Sequence, residues 1–217
     1  IGTCADLSIF SFHPVKHITT GEGGAILTNN KKLYEKIGCL SRHGITRPPN
    51  IMSEINRVGT WAYDLEMLGH NFRLTDIQAA LGLSQLKKIE KFKSRRRQIV
   101  NYYNEELFEL EYLQTPLEDN NVNSNFHLYV LNVIDNCRFD RYDLFSALLK
   151  HNYQPMVHYI PLHLLSYYRH RYGFKGNEYP VAEKYYETAI TMPLYPALSD
   201  AEVEQVVTDI KNIVCGL

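Results

Sequence analysis

Cysteine is sparse in this 217-residue chain: its four copies, Cys4, Cys39, Cys137 and Cys215, stand far apart with no CxxC spacing. That excludes a zinc ribbon and gives no sign of a disulfide framework, so a reducing, cytoplasmic setting is expected. An excess of one charge sign is also missing. Lysine and arginine number 23 against 24 acidic residues, a formal net charge of −1, whereas nucleic-acid binding usually shows as a basic excess. No run approaches the roughly 20 apolar residues that a membrane-crossing helix needs. Residues 1–12 lack the basic stretch and long apolar core of a signal peptide. The remainder, 45% hydrophobic and 22% charged, can build a core in one large domain or two small ones.

Hydrophobic period and chain breakers set the expected organisation. Leu7–Phe12 and Ala25–Thr28 are short apolar or β-branched runs that predict two strands. Asn29 or Asn30 can cap a helix to about Leu40, with Leu33, Ile37 and Leu40 at helical spacing. Residues 43–66, with Pro48-Pro49 and few periodic positions, suit a mobile loop. Thr75 and Gln78 form a capping-box pattern, and a helix from there continues, with or without a bend, to about Leu110. After the loop-forming Asp119–Asn125 the expected order is strand 126–134, helix 140–151, strand 154–160, helix 180–190 and a last helix over 199–214. That alternation describes a small α+β domain.

Two conspicuous patterns read as bland. Lys87, Lys88, Lys91, Lys93 and Arg95-Arg96-Arg97 are interrupted by Glu90 on a predicted helix, which makes a solvated face rather than a nucleic-acid patch. The tyrosine pairs 102–103, 167–168 and 185–186 lack a stacking motif and read as packing residues with polar tips.

The most informative segment is Ser11-Phe12-His13-Pro14-Val15-Lys16-His17-Ile18-Thr19-Thr20-Gly21-Glu22-Gly23-Gly24. It sets an amine just past a predicted strand and follows it with glycine-rich backbone, which tolerates positive φ and close approach. A lysine held there can form a Schiff base with an aldehyde; an isolated lysine would instead be an ordinary surface residue.

Ser-Phe-His-x-x-Lys followed by Thr-x-Glu-Gly-Gly-Ala resembles the cofactor-lysine segment of the DegT/DnrJ/EryC1/StrS family of pyridoxal-phosphate (PLP) sugar aminotransferases. The resemblance continues at Gly69-His70-Asn71-Phe72-Arg73-Leu74-Thr75-Asp76-Ile77-Gln78-Ala79-Ala80-Leu81-Gly82, His127-Leu128-Tyr129, Val157-His158-Tyr159 and Met192-Pro193-Leu194-Tyr195-Pro196. Five patches in the family's order span nearly the whole chain.

The resemblance implies an α/β fold: the C-terminal part of an aspartate-aminotransferase-like, fold type I PLP enzyme. Residues 1–95 would be the end of the large cofactor-binding domain with the start of a long connecting helix, and 96–217 the small domain. It implies Lys16 as Schiff-base lysine and proton shuttle, Ser11 as hydroxyl donor to the cofactor phosphate, and Asn71 as donor to the phosphate of a neighbouring subunit in a homodimer. A histidine in place of that lysine marks the family's dehydratases, so Lys16 favours transamination. Arg42, His43 and Arg73 could bind the nucleotide diphosphate or a donor carboxylate, or form surface ion pairs. His158, Tyr159 and His163 fall in a segment bordering the sugar pocket of similar enzymes. No metal is expected.

The implied partners are L-glutamate as donor and a nucleotide-linked 4-keto-6-deoxy sugar, with a UDP-sugar favoured. A 3-keto or dTDP-linked sugar, or a catalytically silent PLP-binding regulator, are the alternatives. Beside that family the chain starts inside the large domain. The loop for the cofactor phosphate, the group stacking on its ring and the aspartate at its pyridine nitrogen are expected on polypeptide preceding Ile1.

Overall fold

The computed structural model describes residues 4–46, 61, 63–134 and 138–217, and the chain divides into two compact units, Ile1–Ile89 and Glu90–Leu217. Of the loop expected over 43–66, residues 47–60 and 62 lie outside the described residues, as does Cys137.

The first unit begins with an antiparallel hairpin of β1 (Ser8–Ser11) and β2 (Gly24–Leu27), in which Ser8 faces Leu27 and Ser11 faces Gly24. Glycine is required at the last pair, because a Cβ on Gly24 would stand 2.7 Å from the Phe10 carbonyl oxygen. Helix α1 (Lys31–Leu40) is capped by Asn30, whose side-chain oxygen accepts the N–H groups of Lys32 and Leu33 at 3.0 and 3.3 Å. A tight turn follows, with His43 at φ +67° and Gly44 at φ +74°. It leads into β3 (Ile45–Thr46), which pairs with β4 (Asp64–Leu65). Helix α2 (Asp76–Leu86) starts with the complete capping box of Thr75 and Gln78. The single long helix expected to about Leu110 is interrupted after Leu86. Residues 87 and 88 separate α2 from α3 (Ile89–Leu107).

The second unit is a three-stranded antiparallel sheet with helices. Its strands β5 (Leu113–Gln114), β6 (Tyr129–Val133) and β7 (Ala189–Met192) lie in that spatial order. Tyr129, Leu131 and Val133 alternate inward along β6, as period-two geometry requires, and all four β7 residues are buried. Against them pack Ile99, Tyr103 and Leu107 of α3, Leu144 and Leu148 of α4 (Arg141–Lys150), and Val206, Ile210 and Val214 of α7 (Asp200–Gly216). Helices α5 (Ser166–Tyr172) and α6 (Pro180–Thr188) complete the unit.

Three expectations need correction. The strand expected over 154–160 reduces to one bridge, Met156 to Thr191; Pro155 and Pro161 flank the run and cannot donate to a ladder. The helix expected over 180–190 stops at Thr188, because Ala189 onward pairs with β6. The basic run on α3 is not uniformly solvated. Arg96 is buried, and its Nη1 donates to the carbonyls of Phe126, His127 and Leu194 at 3.3, 3.1 and 3.0 Å. Burial lowers its pKa from the ordinary arginine value. Arg95 pairs with Asp200 and Arg97 with Glu118.

Candidate active site

Lys16 lies on the connection between β1 and β2, and the root of that connection is heavily bonded. The N–H of Phe12 donates to the Gly23 carbonyl at 2.9 Å, and the Thr20 N–H and Thr19 Oγ1 both donate to the Phe12 carbonyl at 3.0 Å. Gly21 (φ +78°) and Gly23 (φ +156°) make the return; a Cβ on Gly23 would stand 2.3 Å from Thr20 Oγ1. At the far end, the Lys16 N–H donates to the His13 carbonyl at 3.0 Å. The lysine is thus carried on an excursion whose base is fixed. Its side chain is half-buried, and its amine meets no hydrogen-bond or ion-pair partner among the described residues.

Ser11 ends β1, five residues earlier. Its Oγ accepts the His13 N–H at 3.4 Å, which leaves the hydroxyl proton available to another acceptor. Glu22 is exposed, with its carboxylate 3.9 Å from His13 Nε2, while its main-chain carbonyl accepts from Thr20 Oγ1 at 2.7 Å and Gln78 Nε2 at 2.9 Å.

The segment around Asn71 runs beside the end of α1. His70 N–H donates to the Leu40 carbonyl, His43 N–H to the His70 carbonyl and Phe72 N–H to the Ser41 carbonyl, at 2.7–3.0 Å, and Arg42 forms a bridge with Asn71. Arg42, His43 and Asn71 are therefore brought together, all with exposed side chains; Arg73 is exposed two residues beyond Asn71. The crossing is close. A Cβ on Gly44 would stand 1.6 Å from the Met67 carbonyl oxygen, and one on Gly69 would stand 2.2 Å from the Gly44 nitrogen.

In the second unit, His158 Nδ1 lies 2.7 Å from Thr191 Oγ1, and its ring meets that of Tyr159 edge-on at 4.6 Å. His158 lines an open groove of about 550 Å³ with Met156, Met192 and Tyr195; Tyr159 is exposed. His163 is buried. Its Nε2 lies 2.8 Å from Glu183 Oε1, and the rings of Tyr179 and Phe174 flank it. Glu183 also accepts the N–H groups of Asn177 and Tyr179, and Glu178 those of Lys175 and Gly176. The His163 hydrogen bond, followed by those N–H donors, holds Glu183 below the ordinary carboxylate value. The ligand atoms of His163, Glu178 and Glu183 lie within 4.8 Å of one another, and their bonds lock this turn.

An amine for a carbonyl, a hydroxyl free to donate, and an exposed amide beside Arg42 suit a ligand carrying an aldehyde and a phosphate. Thr20 and Gln78 escaped the sequence reading. Gln78 registered only as a helix-capping residue, since its bond to Glu22 crosses 56 positions.

The profile of the DegT/DnrJ/EryC1/StrS aminotransferase family matches residues 1–211. An uncharacterized protein of Methanocaldococcus jannaschii is 42% identical over 99% of this chain and 55% of its own length. A UDP-4-amino-4,6-dideoxy-N-acetyl-beta-L-altrosamine transaminase of Campylobacter jejuni is 35% identical over 92% of this chain and 50% of its own. Among solved structures, Helicobacter pylori PseC, an aminotransferase involved in the biosynthesis of pseudoaminic acid, superposes with a TM-score of 0.86. It is 28% identical over all of this chain and 55% of its own. The chain spans about half the length of the curated relatives it matches.

Proposed function

The chain belongs to the DegT/DnrJ/EryC1/StrS aminotransferase family, and we propose that it is the lysine-bearing part of a PLP-dependent sugar-nucleotide aminotransferase. Its fold is that of the C-terminal part of fold type I enzymes. Bound PLP, the cofactor of this family, supplies the electron sink for amino transfer. The chain's own residues do the rest. Lys16 Nζ would hold the cofactor through its aldehyde carbon, and the same amine, once free, would carry the proton that amino transfer requires. An amine suits this task because it changes protonation state readily when desolvated, which a guanidinium does not. Ser11 Oγ donates to the phosphate. Asn71 donates its amide to the phosphate bound by a second copy, so a homodimer completes the site.

The observation that carries this reading is the Lys16 amine, without a partner among the described residues, on a connection with a rigid root that starts at Ser11, whose Oγ accepts the His13 N–H. The proposed donor is L-glutamate, and the acceptor a UDP-linked 4-keto-6-deoxy sugar of the kind met in pseudaminic acid biosynthesis. The named transaminase and the PseC structure support that choice. In this reading Arg42, His43 and Arg73 meet anionic groups, and His158 and Tyr159 border the sugar. His163, buried and bonded, is assigned to the scaffold.

The test is turnover of a panel of keto-sugar nucleotides with L-glutamate, comparing wild type with Lys16→Ala. Amino transfer to the UDP-4-keto sugar that vanishes in the variant is expected. Preference for a 3-keto or dTDP-linked sugar would replace the substrate, and turnover that survives the substitution would remove the lysine's role.

A further inference from the structure

The return arm of the Lys16 connection is held from outside the hairpin by one side chain. Gln78 is the third residue of α2, and its Oε1 accepts both the N–H and the hydroxyl of Thr75 at 3.0 Å. With the oxygen committed to a donor, the amide nitrogen must point the other way. There it meets the main-chain carbonyl of Glu22 at 2.9 Å, an acceptor that the Thr20 hydroxyl also reaches at 2.7 Å. The two ends of the amide cannot be exchanged: the reverse setting would face N–H against N–H at Thr75 and oxygen against oxygen at Glu22. Apolar contact reinforces the clasp. Thr20 is buried with its methyl against Gly82 of α2, where a Cβ would come within 2.8 Å, and Leu74 packs beside Gly23.

We propose that Gln78 is a positioning residue for Lys16: its amide pins residues 20–23 to the start of α2 and thereby fixes the base from which the lysine projects. The proposal rests on Lys16 being the covalent anchor. The same helix start, capped by Thr75, follows Asn71 after Phe72, Arg73 and Leu74, so the clasp also ties the lysine segment to the stretch that bears the proposed second phosphate donor.

The Gln78→Glu substitution isolates the clasp. Glutamate serves as well as glutamine at the third position of a capping box, so α2 keeps its start. Its carboxylate, however, turns an acceptor toward the Glu22 carbonyl and removes the bond. The full-length variant protein, free of cofactor, is compared with wild type by amide hydrogen exchange at Phe12, Thr20 and Gly21. It is then compared by the rate at which PLP, trapped with borohydride, labels Lys16. Loss of this one exposed side-chain hydrogen bond should speed exchange at those amides, and slow labelling of Lys16, by about fivefold each, with an unchanged thermal midpoint. Thr75→Ala removes the helix cap but leaves the amide bond to Glu22; it should leave labelling within about twofold of wild type, given the modest worth of a cap.

Wild-type labelling in Gln78→Glu would overturn the proposal, whether or not exchange accelerates. Equal slowing in Thr75→Ala would overturn it too, because the effect would then belong to helix stability. Absence of labelling on wild-type Lys16 would remove the lysine assignment itself, an outcome distinct from failure of the clasp.

Discussion

Ser11 and Asn71 are each asked to do one thing, to donate a proton to a phosphate oxygen, and each has a simple counterpart lacking it. Ser11→Ala and Asn71→Ala should each weaken PLP retention by about tenfold, the worth of a hydrogen bond to a charged group, without changing the circular dichroism of the chain. Equilibrium dialysis against PLP checks both. Retention equal to wild type would take either residue out of the site. Asn71 is also to act across a subunit boundary, so mixing Asn71→Ala with Lys16→Ala chains should give heterodimers with one site that retains PLP as wild type does; retention no better than in Asn71→Ala alone would contradict the shared site.

At the scale of elements, two local devices bear directly on testable behaviour. The crossing of the α1 exit over the Met67–Asn71 segment depends on Gly44, which combines φ +74° with no room for a side chain. Gly44→Ala should cost at least about 1–3 kcal/mol, and the amides of His43, Glu66 and His70 should exchange faster as the pairing loosens. The second device is the turn locked by Glu183. Its pKa is depressed below the ordinary 4.5, first by the His163 hydrogen bond. A carboxylate depressed in the folded state stabilises above its unfolded pKa, and that contribution is lost as pH falls through the folded value. The thermal midpoint should therefore drop on acidification below about pH 4.5, and Glu183→Gln should flatten part of that drop. A variant with the wild-type acid profile would dissociate this turn from acid sensitivity.

Local signals were the legible ones. The Thr75–Gln78 capping box, a cap at Asn29 or Asn30 and the two strands β1 and β2 could be read because each is decided within a few residues. Strand β7 was hidden: Ala189–Met192 follows a helix without a break, and only pairing with β6 makes it a strand. The reverse held for 154–160, where β-prone residues sit between prolines. Burial of Arg96 inside a basic run, and the reach of Gln78 to Glu22, depend on chain crossings that no spacing displays.

Across the whole molecule the two units differ in how they are built. Every buried hydrophobic residue among those described lies in the second unit, between Ile99 and Val214. That core should govern cooperative unfolding, with the slowest-exchanging amides in β6, β7 and α7. Leu131→Ala, which empties a fully buried position on β6, should cost about 2–5 kcal/mol by urea denaturation. A loss below about 0.5 kcal/mol, the level of a surface change, would mean the core is not packed around that strand. The first unit instead holds the residues proposed for the cofactor: Ser11, Lys16, Asn71 and the clasp all belong to it.

The most direct measurement is peptide-level mass spectrometry of the full-length protein bearing this chain, after incubation with PLP and borohydride reduction. The account predicts a reduced pyridoxyl group fixed to Lys16 in preference to every other lysine. A chain unlabelled at that side chain, or labelled indiscriminately over its lysines, would contradict it.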